Sequence, residues 1–458
     1  MKEWLPRLLF IFSIMAVAFG YGFVSHWKEI FPYRFLHDGY VAFDALMQLG
    51  KDSKKYKNLD FWDDSGITRP TYSKLSSDAG DEAIFILGND LAYRDAESDL
   101  AYLAWLADRE GNILHAWKYP GEIWLPLENR QAIGNAWRSY PVGAHYFSNG
   151  DILVSYHGVD VFPVPMGLAK FDKDSRLIWK RNGFYHHWFS VGPEGEIYIP
   201  DLELGSSPLQ IEDREKVITC DKAPFPYDSI AVLDSDGNKI REIDLLTALI
   251  RSGLTGLFNN MRPNAELIET CDPMHLNDVQ VLTGDRAAEY PEFSPGDLLV
   301  SFRNLNGIGV LDPKSELFKW FYVGAAHHQH SPRYYKKNSV LIFDNYGGPV
   351  SRGISRILSI DVARHVASTL FPAAQRDLPV GQFFSDTAGH MDVDPTGSRL
   401  LVSWTHQGLI WEIDAESGEV LWELVNTHPL DARFGRISVY TAQYAREMDF
   451  EPNHGALK

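Results

Sequence analysis

From about residue 83 the chain alternates between short apolar runs and polar turns, and one pattern recurs. An apolar residue, an Asp, a turn and a second apolar run occur in LADREGNILHAW, KFDKDSRLIW, VLDSDGNKIREI, VLDPKSELFKW, SIDVARHVASTL and EIDAESGEVLW. The recurring acids are Asp108, Asp172, Asp234, Asp312, Asp361 and Asp414. Asp with a following Gly, Ser or Lys supplies a tight turn and alternating apolar residues pack the flanking strands, so each copy reads as a β-hairpin. A second pattern precedes most copies: a His, then a polar residue or Gly and an apolar strand. Its copies are His145…GDILVSYH, His187…GEIYIPDL, His275…GDLLVSFR, His330…NSVLIFDN and His390…SRLLVSWT. Two hairpins per unit make four antiparallel strands. Six such units predict an all-β six-bladed β-propeller, whose radial closure leaves few exposed edges. The alternation in ISVYTAQYA (437–445) predicts a late strand that completes the first blade. The spacing of Asp244–Phe258 predicts a helix inserted in the longest repeat interval.

Three segments follow from this patterning: 1–28, 29–82 and a propeller over 83–458. In the first, Lys2 and Arg7 precede the apolar run Leu8–Val24, which Ser25-His26-Trp27-Lys28 closes. That predicts a signal anchor, a transmembrane helix with interfacial Trp27 and Lys28. The alternative is a signal peptide cleaved near Ala16-Val17-Ala18, but the apolar run continues past that point. Either way the basic end stays in the cytoplasm, and the main domain is expected on the periplasmic or extracytoplasmic side. Residues 33–49 predict a loose amphipathic helix, for packing or for the membrane surface, and 51–64 a polar linker.

Charge narrows the partners. The net charge of −18 argues against a general nucleic-acid or anionic-membrane surface. Any anionic substrate then needs a locally positive pocket. There are two cysteines, Cys220 and Cys271, either a disulfide of an exported domain or two unpaired thiols, and neither CxxC nor Cys–His zinc spacing occurs.

In a propeller the first strand of each blade lines the central channel. The five histidines 145, 187, 275, 330 and 390 are therefore expected to converge at its mouth. A second recurring place, at the end of the next strand, holds His157, Leu202, Arg303, Asn345 and Thr405. His186 and His187 point to opposite faces if the strand is extended, which leaves one of them structural. His327, His328 and His330 form an alternative metal-binding set. Imidazoles change protonation near neutral pH and serve as nucleophile or proton carrier, while Arg offers a planar fork for sulfate, phosphate or carboxylate oxygens. The combination suits transfer of an anionic group through a covalent His intermediate.

The order HLN (275–277), LLVSFR (298–303), QH (329–330), FDN (343–345) and SRILSID (355–361) resembles the bacterial arylsulfotransferases that use no nucleotide sulfate donor. The resemblance runs from about Ala101 to Phe450 and implies a six-bladed propeller. It implies that His330 is a transiently sulfated nucleophile and that His275 and Arg303 hold the sulfate ester. His187, before a Pro-x-Gly turn in HWFSVGPEG, also lines the site. The partners implied are an aryl sulfate donor and a phenolic acceptor, with no metal or organic cofactor. The chain departs from the pattern at Asn304, where many members have His, in SPRYY after His330, and in a longer spacing before Pro295-Gly296. An anchor and a helix are expected before the propeller, where well-known periplasmic members carry an N-terminal β-sandwich. A membrane-tethered, non-catalytic propeller that binds a ligand or partner is the competing expectation.

Overall fold

The computed structural model describes residues 4–28, 31, 70–88, 102–118, 123, 139–158, 165–205, 225–260, 272–345, 355–372, 385, 387–430, 433–436 and 438–454. The helix expected at 33–49, the 51–64 linker and both cysteines lie outside these residues. Two compact units are present, Met1–Asp63 and Asp64–Lys458.

In the first unit Trp4–Lys28 forms a single α-helix. Among the described residues no helix is long and apolar enough to cross a membrane. The helix forms, but the anchor expected over 1–28 is not confirmed.

The second unit is the expected ring of blades. Six antiparallel sheets each contain four blade strands, and a separate hairpin pairs Thr427–Leu430 with Arg433–Arg436. Each recurring Asp sits where the third strand turns into the fourth. Its carboxylate accepts the N–H groups two to four residues on. Asp172 bonds Asp174 at 2.9 Å and Arg176 at 2.8 Å, and Asp234 bonds Asp236 at 3.0 Å and Asn238 at 2.7 Å. Such Asx turns fix hairpin geometry locally, which is why the motif was legible without tertiary information.

The ring closes as the late alternation predicts. Thr441–Ala445 pairs with Ala83–Leu87 as the innermost strand of the first blade. Thr71–Lys74 adds a fifth, outer strand to the last blade by pairing with Val420–Val425. At this seam Glu412 is fully buried, and its Oε1 accepts from Arg109 at 3.0 Å, Arg399 at 3.2 Å and Tyr444 at 3.0 Å. Its Oε2 accepts the Gly80 N–H at 3.0 Å, and Arg399 also binds Glu82 at 2.7 Å.

Apolar clusters fill the spaces between neighbouring blades. One joins Phe85 and Trp117 of the first blade to Val154 and Phe171 of the second. The inserted helix, Leu245–Arg251, is N-capped by Asp244 and buries Leu245, Leu246, Ala248 and Leu249 against the third and fourth blades. The longer spacing before Pro295-Gly296 contains a short helical turn, Gly284–Ala287, and it buries Tyr290 and Phe293 between the fourth and fifth blades. That insertion connects the inner two strands at the end remote from His275, so it lengthens the spacing without intruding on the site.

Candidate functional site

The site is built where the innermost strands begin. In the fourth blade Leu276–Val281 starts immediately after His275, and in the fifth His330–Tyr334 starts on His330 itself. In the third blade the inner strand is only Ser190–Val191, preceded by the His186–Trp188 segment.

His187 and His275 have left-handed backbones, with φ of 54° and 55°. Non-glycine residues occupy this region only where the surroundings hold them. For His187 the holders are visible. Ser155 Oγ donates to its carbonyl at 2.6 Å. A Cβ on Gly143 would sit 2.4 Å from that same carbonyl oxygen, so only glycine admits this close approach. The turn also corrects the expectation for His186 and His187. The backbone is not extended there, and both rings converge, with their Nδ1 atoms 2.5 Å apart.

Beyond the turn, Trp188 crosses the channel. Its indole N–H donates to Thr441 Oγ1 on the closing strand at 3.0 Å. Its ring lies 5.9 Å from that of His330 and 6.2 Å from that of His390. Trp188 thus forms a floor beneath the histidines. Below it Arg333, from the SPRYY segment, donates to Asp278 at 2.9 Å and to the Met391 carbonyl at 2.6 Å, tying three blades together.

Above the floor the expected residues meet. The His187 and His275 rings are 4.9 Å apart, and the His157 ring is 4.6 Å from His187. Arg303 follows the strand paired with the one His275 begins, and its N–H donates to the His275 carbonyl at 2.9 Å. Arg303 Nη1 donates to Asn304 Oδ1 at 3.0 Å, so the residue that departs from the family pattern orients the guanidinium. Asn304 in turn donates to the Asp272 carbonyl, and the Asp272 carboxylate accepts from His275 Nδ1.

His330 is held most completely. Asn345 Nδ2 donates to the carbonyls of Ser385 at 2.8 Å and Ala388 at 2.7 Å, which fixes the amide orientation. Asn345 Oδ1 then faces His330 Nδ1 at 2.6 Å and can only accept. Nδ1 therefore carries the proton, and the lone pair resides on Nε2. Burial, then the positive charge of Arg303, push the imidazole well below its ordinary pKa, so it is neutral at pH 7. Neighbouring motif residues serve as scaffold. The Gln329 side chain donates to Ser301 Oγ at 3.0 Å, the Phe302 carbonyl at 3.0 Å and the Gly307 carbonyl at 2.9 Å, and Asn277 donates to the Gln329 carbonyl at 2.8 Å.

Two expected members do not join. His145 lies near the far end of its strand, Ser139–Tyr146, just before the Phe147 turn. It lines a separate cavity of about 340 Å³ with Asp392, Tyr444 and Arg446. The repeat alignment misplaced it because the inner strand of the second blade is longer than its counterparts. His390 begins its strand as predicted but packs behind Trp188. The alternative metal set also changes. Among the described residues the three histidines whose ring nitrogens come together are His157, His186 and His187, not His327, His328 and His330.

Sequence reasoning gave no site role to His157, Asp272, Asn345 or Trp188. For His157 and Asn345 a signal existed, since they share the recurring place of Arg303. For Asp272 and Trp188 no periodic signal exists, because irregular backbone delivers them.

Several of these histidines are buried and neutral, and this has a stability consequence. Burial, then the charge of His275, push His157 down to about 3, and His330 is lowered in the same sense. Unfolded histidine binds a proton near pH 6.5. Between about 6.5 and 3 the unfolded state thus binds more protons, so stability is complete above 6.5 and declines as pH falls through that window. Urea unfolding at pH 7 and pH 5 should show a lower midpoint at pH 5, with His157→Gln reducing the difference by on the order of 1 kcal/mol. Equal midpoints for native protein at the two pH values would contradict this account.

Residues 263–427 match the model of a family described as arylsulfotransferase (ASST). The chain resembles that family over this segment, which contains His275, Arg303, His330 and Asn345. No curated protein is similar to the chain at a significant level. Among the solved structures similar to the chain, three of low identity are these. A protein of unknown function from Bacteroides caccae is 12% identical with a TM-score of 0.45, covering 80% of this chain and 100% of its own. Selenomethionine-substituted virginiamycin B lyase from Staphylococcus aureus is 11% identical with a TM-score of 0.34, over 63% of this chain and 72% of its own. Kuenenia stuttgartiensis hydrazine synthase is 11% identical with a TM-score of 0.37, over 69% and 71%. None of the three bears on the reading of the site.

Proposed function

We propose that this protein is an arylsulfotransferase-like enzyme that moves a sulfuryl group from a phenolic sulfate ester to a phenolic acceptor through a sulfo-histidine. The observation that carries the reading is a buried, neutral His330 with its free Nε2 lone pair fixed by Asn345, beside Arg303 and in the segment that matches the family.

In the first half-reaction His330 Nε2 attacks sulfur. An N–S bond forms, the S–O bond to the aryl group breaks, and the phenolate leaves with the electron pair. Arg303 and His275 neutralise charge on the sulfuryl and leaving oxygens. Preorganised donors of this kind are worth several kcal/mol of barrier in a water-poor site. His187 flanks the same recess. In the second half-reaction an acceptor phenol loses its proton to a neighbouring imidazole and attacks sulfur, which restores His330. The Nδ1–H···Asn345 bond supports both halves, because it stabilises positive charge on the ring while the group is attached.

The reading extends to the N-terminal segment only as a proposal: the helix Trp4–Lys28 would tether the propeller on the extracytoplasmic side. The competing reading, a propeller that binds without turnover, has no site observation in its favour.

The test is to incubate the full chain with 4-nitrophenyl sulfate and excess phenol. Nitrophenolate should appear, phenyl sulfate should accumulate, and rapid quenching should trap a sulfuryl group on the peptide containing His330. No nitrophenolate and no labelled histidine would sink the proposal.

A further inference from the structure

The mouth of the channel holds one cluster that the sulfuryl chemistry does not use in full. His157, at the end of the second strand of the second blade, meets His186 and His187 ahead of the third blade. One ring nitrogen from each lies within 4.8 Å of the others. The ring centroids are 4.6 Å apart for His157 and His187, and 4.8 Å for His186 and His187.

We propose that His157, His186 and His187 form a three-imidazole site for one divalent transition-metal ion of the zinc class.

Four features support this site. The Nδ1 atoms of His186 and His187 are 2.5 Å apart, with one donating its N–H to the other, so an ion would replace that proton. Zinc–imidazole bonds of about 2.0–2.1 Å separate tetrahedral ligand atoms by about 3.4 Å. The three ring nitrogens lie within 4.8 Å of one another, on the scale of that value. Next, His186 is buried to 3% exposure, and its Nε2 lacks a hydrogen-bond partner of ordinary geometry, although the Asp201 backbone acts on the ring. A buried imidazole left with an unpaired nitrogen is costly unless something else satisfies the ring. Third, the backbone that presents the rings is fixed by the Ser155 bond to the His187 carbonyl at 2.6 Å and by the close approach of Gly143. Fourth, Tyr140 OH lies 3.4 Å from His157 Nδ1 and orients that ring, while Nε2 accepts the His187 backbone N–H at 3.3 Å, the bond that an ion would displace.

The donor set selects the ion. Three neutral nitrogens with no carboxylate or thiolate suit Zn²⁺, Co²⁺, Ni²⁺ or Cu²⁺ and not Mg²⁺ or Ca²⁺. Three protein ligands leave a fourth position for water or an anion. Because His187 belongs both to this set and to the proposed anion recess, a bound ion would compete for it. The site does not depend on the sulfuryl reading, since binding is measured without substrate.

The experiment uses the full chain freed of metal by a chelator and then titrated with Co²⁺ and Zn²⁺. One equivalent of Co²⁺ should bind and develop visible absorption, and Zn²⁺ should displace it. His157→Gln and His186→Gln should each weaken binding by about 100-fold or more. His327→Gln should leave it unchanged. X-ray absorption at the zinc edge of the native protein, which needs no variant to fold, should count three imidazole ligands. Less than stoichiometric binding, native affinity in the glutamine variants, or fewer than three imidazoles would each overturn the site.

Discussion

Replacing His330 by alanine is expected to lower sulfuryl transfer from an aryl sulfate by roughly four orders of magnitude. The variant removes the attacking nitrogen and leaves Arg303, His275 and His187 to bind the ester, so KM should change far less than kcat. The loss should also be chemical and not structural. His330 bonds through Nδ1 to Asn345, whose amide keeps its own partners at Ser385 and Ala388 without the ring. Asn345→Leu is the informative companion. It leaves the nucleophile in place but releases the tautomer, so turnover should fall by roughly 10- to 100-fold with the sulfuryl group still trappable on His330. Stopped-flow release of nitrophenolate, with peptide mapping of the quenched protein, reads both variants. Turnover by His330→Ala within a few-fold of native would remove His330 from the chemistry.

The second large effect concerns the seam of the ring. Glu412→Ala is expected to destabilise the propeller by about 3–5 kcal/mol, because it leaves two arginines without their shared anion in a buried place. Glu412 is fully buried and receives Arg109, Arg399, Tyr444 and the Gly80 N–H. These groups come from the first blade, the last blade and the closing strand, so the carboxylate joins the elements that close the circle. Its neighbour Glu82 sets the acid limit. Hydrogen bonding to Arg399 holds it at about 2, below the ordinary 4.5. The unfolded chain binds the proton first, so this contribution is complete above about 4.5 and is lost as pH falls towards 2. Urea unfolding of native and Glu412→Ala protein at pH 7 checks the size of the effect, and a loss under 1 kcal/mol would show that the seam is held by its strands alone.

The reach of the sequence can be judged residue by residue. Asp172 and Asp234 were readable as turns because an Asx turn is satisfied within five residues. Thr441–Ala445 was readable as the closing strand because strand alternation is local and the ring needs a partner for Ala83–Leu87. His275, Arg303, His330 and His187 were selected by motif order, and the fold brings them to one mouth. His145 shows the limit. Repeat spacing cannot tell which end of a strand a residue occupies when strand lengths differ, and Ser139–Tyr146 is long enough to place it at the other end of the channel.

What the sequence by itself determined was periodic: the six units, their hairpins, the inserted helix and the strand starts at His275, His330 and His390. What only the tertiary structure decided was everything delivered by irregular backbone or by distant partners. The left-handed turn at His187 joins two rings that an extended strand would separate. It also sends Trp188 across the channel to Thr441, a partner 253 residues away. Asn345 becomes the tautomer lock of His330 because separate carbonyls, at Ser385 and Ala388, orient its amide. Periodicity encodes which face a residue occupies. It does not encode which other blade's atoms wait there, and the chemistry of this mouth depends on that second kind of information.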